Sequence, residues 1–230
     1  MKFTLQEDTI IETKILDVIN LNEKIFIKTL SSNIRHKFGG QPEDRGYFFL
    51  GEWVKILSFF EIDKQIVYEI PASNMPNVHS GMMVLMKRDK KVRLKISRMH
   101  SAAHLICAIA PFEMVRSFIG LEISRIDFRG NMDLFIQLKN ELNLKIKKEI
   151  LNSRIINIHY LTSEEIKQIG KVEEFKDNMK GILRVVEIEN LDMRTCLGTH
   201  LLNTSLIGEL NFKKIEKVKD DIFKINFSLN

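Results

Sequence analysis

The amino-acid sequence predicts an α+β fold, with a small β-barrel-like domain over residues 1–86 followed by an α/β domain over residues 87–230. Short strand-like segments separated by turns dominate the first part, and apolar residues recur at helical spacing in the second. A chain of 230 residues is long enough for two domains. Its 44% hydrophobic and 28% charged residues are typical of a soluble globular protein.

Alternating apolar and polar residues predict the strands of the first domain. In this domain the strand-like segments are residues 13–18, 24–30, 47–50, 52–60, 65–70 and 82–86, and residues 91–96, just after the boundary, are strand-like as well. The first two form a hairpin, because the turn-prone residues 20–22 separate them. Residues 71–81 are rich in Pro, Asn and Ser and form a connection. Several short strands joined by turns favour a small barrel.

Two helices are predicted in the second domain. Apolar residues recur every three to four positions over residues 98–115, and Pro111 kinks or ends this helix. Residues 133–151 form an amphipathic helix that faces the core. Its apolar stripe consists of Leu134, Leu138, Leu142, Ile146 and Ile150. The remaining predicted elements are a strand over residues 154–160, a short helix capped by Ser163 and a strand over residues 181–188.

Charge and cysteine content narrow the function classes. The net charge of +5 and pI near 9.1 fit a polyanionic partner such as nucleic acid, although abundant lysine is equally explained by compositional bias. No segment approaches the roughly 20 apolar residues of a membrane span, and Glu7 and Asp8 stand where a signal peptide is apolar. We therefore expect a cytoplasmic protein without a membrane segment. Cys107 and Cys196 lie far apart, which favours a metal ligand or free thiol over a disulfide.

Two histidine-containing pairs form the candidate metal site. His100 and His104 are four residues apart in a predicted helix, so both rings lie on one face. Such a pair alone is more often structural or solvated than metal-binding. Cys196 and His200 repeat the spacing and complete a set of three imidazole nitrogens and one thiolate, which suits tetrahedral zinc. Cys107 lies on the same helical face as the first pair and is either a rival ligand or a small buried apolar residue.

Four protein ligands fill a tetrahedral shell, as in structural zinc sites, whereas catalysis needs an exchangeable position. The spacing of the ligands leaves both roles open. A metallopeptidase is disfavoured, because Ser101 follows His100 where the His-Glu-x-x-His enzymes have their general base.

Further motifs accompany the two pairs. They are residues 39–46 (Gly-Gly-Gln-Pro-Glu-Asp-Arg-Gly), 81–89, 100–105 (His-Ser-Ala-Ala-His-Leu), 124–128 (Ser-Arg-Ile-Asp-Phe), 196–200 (Cys-Leu-Gly-Thr-His), 203–204 (Asn-Thr) and 207–210 (Ile-Gly-Glu-Leu). Together they resemble the editing domain of alanyl-tRNA synthetase and the freestanding AlaX proteins that share it. The resemblance covers nearly the whole chain and includes no synthetase catalytic domain.

The resemblance implies a zinc-binding editing domain over residues 87–230 and a zinc-dependent aminoacyl-tRNA deacylase, which removes serine or glycine from misacylated tRNA(Ala) in trans. It assigns the zinc to His100, His104, Cys196 and His200. Two other functions stay open: a non-catalytic, zinc-stabilised RNA-binding module of the same fold, and a zinc hydrolase that acts on a different ester or amide.

Four residues of the first domain are predicted to bind substrate. Thr29 either reads the hydroxyl of a serine substrate or is an ordinary strand threonine. Gly39 and Gly40 either allow close backbone approach to the terminal adenosine or form a tight turn. Gln41 belongs to the same glycine-rich motif.

Three residues near His200 also carry expectations. Asn203 and Thr204 either orient a ligand through hydrogen bonds or cap the next element. Leu197 stands where the resembling pattern Cys-Gly-Gly-Thr-His has glycine, so we expect a loop position that could use a positive φ to have lost that freedom.

Overall fold

The computed structural model describes residues 9–21, 24–37, 40–62, 65–72 and 78–230. It has a mixed α+β fold in which the strand ladders between described residues are antiparallel. None of the helices in this part of the chain combines the length and the apolar character that crossing a membrane demands.

Contacts between residues divide the described chain into two units. One contains residues 9–37 and 43–93, and the other contains residues 40–42 and 94–230. The domain boundary expected near residue 86 stays a prediction, because the density of contacts does not test whether either part folds on its own.

The first unit is a seven-stranded sheet. Its strands are β1 (Ile10–Leu21), β2 (Lys24–Thr29), β3 (Gly46–Phe49), β4 (Trp53–Lys55), β5 (Ser58–Ile62), β6 (Gln65–Pro71) and β7 (Met83–Arg88), in the order β4-β3-β7-β1-β2-β6-β5. The predicted hairpin is confirmed, since β1 and β2 pair as neighbours. Its core includes Phe48 and Tyr68, whose rings meet edge to face at 5.4 Å.

The prediction of a barrel-like domain is corrected by this sheet, which is open. Within the described residues no ladder joins its edge strands β4 and β5. Only two residues, Ile56 and Leu57, separate these strands. Ile56 N donates to Gly46 O beside β4, and Leu57 N donates to Glu69 O beside β5, so the two residues bond to opposite ends of the strand order. The chain therefore passes from one side to the other without the edge-to-edge ladder that closes a barrel.

The second unit contains two smaller sheets with helices. Its elements are α1 (Lys90–Ile109, which begins in the first unit), β8 (Glu113–Phe118), β9 (Ser124–Arg129), α2 (Met132–Leu151), β10 (Ile156–Thr162), α3 (Ser163–Ile169), β11 (Ile182–Ile188), β12 (Asp192–Thr195), β13 (Leu210–Lys219) and β14 (Ile222–Leu229). The sheet orders are β13-β14-β9-β8 and β10-β11-β12.

Helix α1 begins eight residues before the predicted start at residue 98. The strand predicted over residues 91–96 is wrong, because Asp89 caps a helix there: its carboxylate accepts from Lys91 N at 2.9 Å and Val92 N at 3.1 Å. The helix ends at Ile109, before Pro111, and so does not reach residue 115.

Helix α2 confirms the second predicted helix, but one turn of its buried face differs. Phe135, Leu142 and Ile146 are buried, whereas Leu134 is exposed. Phe135 packs against Phe112, Phe128, Phe212 and Phe223 at centroid distances of 5.4–6.3 Å. An aromatic cluster therefore joins α2 to the four-stranded sheet.

Helix α3 is capped one residue earlier than predicted. The Thr162 hydroxyl accepts from Glu165 N, and the Glu165 carboxylate accepts from Thr162 N, which forms a capping box. Ser163 is the first helical residue instead of the cap.

Candidate metal centre

Helix α1 and the loop after β12 bring the four predicted ligands together. His100 and His104 lie one turn apart on α1, and Cys196 and His200 follow β12. One donor atom from each of the four lies within 4.8 Å of all the others. The three histidines are buried and Cys196 is partly exposed. This group can hold a metal ion.

The geometry of the cluster is that of side chains converging on a common point. The Cys196 Sγ lies 3.5 Å from Nε2 of both His100 and His200. The ring centroids of His104 and His200 are 4.3 Å apart, and those of His100 and His104 are 4.9 Å apart.

Burial keeps the His104 ring neutral in this cluster. Desolvation lowers the pKa of His104 well below its ordinary value of 6.5, and the neighbouring His200 and His100 lower it further. A neutral imidazole keeps a lone pair for a cation. The buried Nδ1 of His104 also has no hydrogen-bond partner among the described residues. A bound cation would suit such a ring, because it replaces interactions that burial removes.

Gln41 contacts one of the clustered histidines and the loop that carries two others of the four residues. It is 4% exposed, and its Nε2 lies 2.6 Å from Nδ1 of His100. Its Oε1 accepts from Thr199 N at 3.1 Å. Gln41 therefore ties α1 to the loop that carries Cys196 and His200, and its predicted contact with substrate stays a prediction.

Ser101 supports the opposite ligand, a role that the sequence analysis missed. Its hydroxyl lies 3.3 Å from Nδ1 of His200 and accepts from Leu201 N at 3.0 Å. The one sequence feature that could have indicated this role is the position of Ser101 directly after His100.

Gly198 is required by close packing. A Cβ at this position would overlap the ring of His100 and press against the amide of Gln41. Leu197, in contrast, is absent from the residues with positive φ. Leu197 thus has no left-handed backbone conformation, and the expectation that it has lost a freedom available to glycine stays a prediction. Leu197 is half-exposed and lines the cavity beside the cluster.

Cys107 lies outside the four-residue group and lines the same cavity. Burial raises the pKa of its thiol to about 12, which keeps it protonated. Geometry favours Cys196 over Cys107 as the ligand, because the Cys107 thiol is not among the donor atoms that lie within 4.8 Å of one another.

The other residues predicted to bind substrate lie in different parts of the chain. Gly40 has a φ of +76°, and a Cβ there would approach Ser117 O at 2.8 Å. It therefore allows close approach to the backbone of β8. Gly39 lies outside the described residues. Thr29 ends β2 in the first unit, where its hydroxyl donates to Ser31 O at 2.9 Å.

Asn203 and Thr204 bond away from the cluster. The Thr204 hydroxyl donates to Glu149 O at 2.7 Å, and the Asn203 side chain accepts from Ser205 at 2.6 Å. Thr204 thus joins the loop to the end of α2, whereas Asn203 bonds within the loop, and neither of these two hydrogen bonds goes to the four clustered residues.

A cavity of about 440 Å³ opens beside the cluster. Its wall includes His100, His104 and Cys196, with apolar Met114, Met179 and Leu183. This volume lies in the range of small-molecule sites. It offers room for a small organic group next to the candidate metal position.

Comparisons with known proteins agree with this geometry. Residues 183–226, which include Cys196 and His200, match the family described as the threonyl and alanyl tRNA synthetase second additional domain. The alanyl-tRNA editing protein AlaX-M of Saccharolobus solfataricus is 30% identical over 190 residues, which is 77% of this chain and 78% of that protein.

Two larger relatives match almost the whole chain. The alanine-tRNA ligase of Methanobrevibacter smithii is 27% identical over 237 residues, and that of Staphylothermus marinus is 26% identical over 230 residues. These matches cover 94% and 93% of this chain but 25% and 24% of the ligases. The chain thus spans about a quarter of the length of these ligases.

Proposed function

Because this chain belongs to the family of AlaX-type alanyl-tRNA editing proteins, we propose that it is a zinc-dependent deacylase of misacylated tRNA(Ala). It acts in trans and removes serine or glycine esterified to the terminal ribose. The observation that carries the proposal is the convergence of His100, His104, Cys196 and His200 beside an open cavity. The cytoplasm is the proposed location, since charged tRNA is found there.

The donor set and spacing favour zinc. Zinc accepts imidazole nitrogen and thiolate sulfur in tetrahedral geometry, with bonds of about 2.0–2.1 Å and 2.3 Å. Two such ligands at the tetrahedral angle are about 3.6 Å apart. The separations from Cys196 Sγ to the Nε2 atoms of His100 and His200 are 3.5 Å. These two separations match a tetrahedral zinc site and support the proposal.

Hydrolysis of the ester requires the acyl group to be held in place. A bound zinc ion would supply a Lewis-acidic cation, and exchange of one protein ligand or expansion to five ligands would let it hold the amino group of the aminoacyl ester and orient the ester bond. The contact with Gln41 orients His100 toward the metal position, and glycine at position 198 leaves room for the His100 ring. Met114, Met179 and Leu183 give the cavity an apolar wall against which the acyl group can pack.

Selectivity against correctly charged tRNA requires a group that recognises the serine hydroxyl. We assign this role to Thr29, as the sequence suggested. Its hydroxyl donates to Ser31 O and keeps acceptor capacity for a second hydroxyl. Thr29→Val should lower the kcat/KM for seryl-tRNA(Ala) more than that for glycyl-tRNA(Ala), because glycine has no hydroxyl to lose.

Deacylation of purified seryl-, glycyl- and alanyl-tRNA(Ala) tests the proposal. The protein should hydrolyse the seryl or glycyl species and spare alanyl-tRNA(Ala), and a chelator should abolish this activity until zinc is restored. Cys196→Ser should lose zinc and activity, while the matched variant Cys107→Ser should keep both. Tight RNA binding without turnover would favour the non-catalytic module, and inertness toward all three charged tRNAs would leave the hydrolase of another ester or amide.

A further inference from the structure

One exposed acidic residue lines the cavity beside the candidate metal centre. Among the described residues that line this cavity, Glu174 is the one acidic side chain. It lies on the segment between α3 and β11, which the sequence analysis assigned to no element and no function.

The backbone fixes this segment beside the ligand loop. Glu173 N donates to Met193 O at 2.8 Å, and Thr195 N donates to Glu173 O at 3.0 Å. Glu173 thereby bridges to β12, the strand that leads directly into Cys196. Glu174 follows this anchor with a φ of +59°. A non-glycine residue in the left-handed region costs about 1–2 kcal/mol, so the anchor holds Glu174 in a conformation that it would not otherwise favour.

The charge of Glu174 acts inside the cavity. Burial raises the pKa of the Cys107 thiol against the opposing charge of Arg194, and the carboxylates of Asp192 and Glu174 add to the rise. Cys107 is itself part of the cavity wall. The carboxylate is therefore close enough to the cavity to influence another group of its wall.

Ester hydrolysis needs a proton acceptor that the four clustered residues do not supply. As metal ligands, they would fill a tetrahedral shell and use their lone pairs. The other charged residues that line the cavity are Lys176, Arg184 and Arg194. Lysine and arginine offer donors and no acceptor. Serine and threonine hydroxyls are weak acceptors of a full proton, and the Cys107 thiol is already protonated.

We propose that Glu174 accepts the proton of the attacking water, an inference that rests on the proposed deacylase function. The carboxylate takes one proton as the water oxygen forms a bond with the ester carbonyl carbon. The bond between that carbon and the ribose oxygen then breaks, and Glu174 returns the proton to the ribose oxygen. One water is consumed, and the free amino acid and the tRNA 3′ hydroxyl are released. The carboxylate is regenerated unchanged.

The test compares two neighbouring glutamates. Glu174→Gln keeps the size and hydrogen-bonding shape of the side chain but cannot accept the proton. Glu173→Gln is the matched control, because the Glu173 side chain pairs with Lys171 at 3.1 Å and does not line this cavity. Single-turnover and steady-state hydrolysis of seryl-tRNA(Ala) are measured for both variants and the unmodified protein, together with zinc content and melting temperature.

Glu174→Gln should lower kcat by about 10²–10⁴-fold, with KM, zinc content and melting temperature unchanged. Glu173→Gln should match the unmodified protein. A kcat that stays at the starting value overturns the inference, and so does a raised KM with unchanged kcat, which would mean that the carboxylate only binds the substrate's ammonium group.

A second variant covers the case in which Glu174→Gln loses zinc or structure. Glu174→Ala should be inactive and should regain turnover when formate is added, because formate replaces the missing carboxylate. Failure of formate to restore turnover counts against the inference. If the unmodified protein hydrolyses no charged tRNA, the proposed function fails; if it is active and Glu174→Gln is equally active, only the role of Glu174 fails.

Discussion

Replacing Gln41 by leucine should weaken zinc binding without removing a ligand. The substitution removes the contact at 2.6 Å to His100 Nδ1 and the acceptor for Thr199 N at 3.1 Å. Loss of a group that orients a metal ligand costs about 10–100-fold in metal affinity, which corresponds to about 1.4–2.8 kcal/mol. The two lost hydrogen bonds also reduce the free energy of unfolding by about 1–3 kcal/mol.

The variant Gln41→Glu is the informative control. A histidine that binds metal through Nε2 carries its proton on Nδ1 and needs an acceptor there; the Gln41 amide supplies one only when its oxygen, rather than its Nε2, faces His100 Nδ1. The carboxylate introduced by Gln41→Glu would accept from both His100 Nδ1–H and Thr199 N–H, so this variant should bind zinc at least as tightly as the unmodified protein. Competition with a chromophoric chelator measures both affinities. The reasoning is refuted if Gln41→Leu binds zinc as tightly as the unmodified protein, or if Gln41→Glu is the weaker of the two variants.

Three further outcomes follow from the packing and charges of the second unit. Gly198→Ala should lower zinc affinity, because the added Cβ overlaps the ring of His100; equal affinity in the chelator competition would contradict the steric argument. Phe135→Ala should reduce the free energy of unfolding by about 3–5 kcal/mol, since this fully buried ring contacts four other aromatic rings. Urea titration measures this loss, and a loss no larger than that of a surface substitution would refute the prediction. For His104, the folded pKa is depressed below 6.5, so the unfolded state of the zinc-free protein binds the extra proton first as pH falls. The zinc-free protein should therefore lose stability below about pH 6.5 toward the low folded pKa of His104, and His104→Gln should reduce that slope; a stability that does not fall between about pH 7.5 and 5.5 would contradict it.

The sequence predicted the four clustered residues because their signal is local. Each pair has a spacing of four residues, which on helix α1 places both rings on one face, and imidazole and thiolate ligands together indicate zinc. The choice of Cys196 over Cys107 came from the resemblance of residues 196–200 to the editing-domain pattern. The hairpin of β1 and β2 and helix α2 were equally accessible, since their patterns extend over many residues.

Contacts between distant residues could not be predicted from such patterns. Gln41 lies 59 residues from His100 and 158 from Thr199 in the chain, so its bracing contacts exist only in the folded molecule. The anchoring of Glu173 to β12 is of the same kind. The start of α1 was missed because one side chain, Asp89, caps a segment whose alternating pattern is typical of a strand.

The open sheet was missed for a different reason. Alternation specifies strands and their buried faces, but closure depends on the pairing of the two edge strands. Here the crossing at Ile56 and Leu57 takes the chain between the two sides without that pairing. Strands β13 and β14 also escaped prediction, because lysines occupy much of the exposed face of β13 and resemble a solvated charged segment.

X-ray absorption at the zinc edge of the purified protein examines the metal centre itself. The account predicts one zinc ion per chain, with three nitrogen neighbours at about 2.0–2.1 Å and one sulfur neighbour at about 2.3 Å, and loss of the sulfur shell in Cys196→Ser but not in Cys107→Ser. A zinc ion without a sulfur neighbour, or a sulfur shell that survives Cys196→Ser, would contradict it.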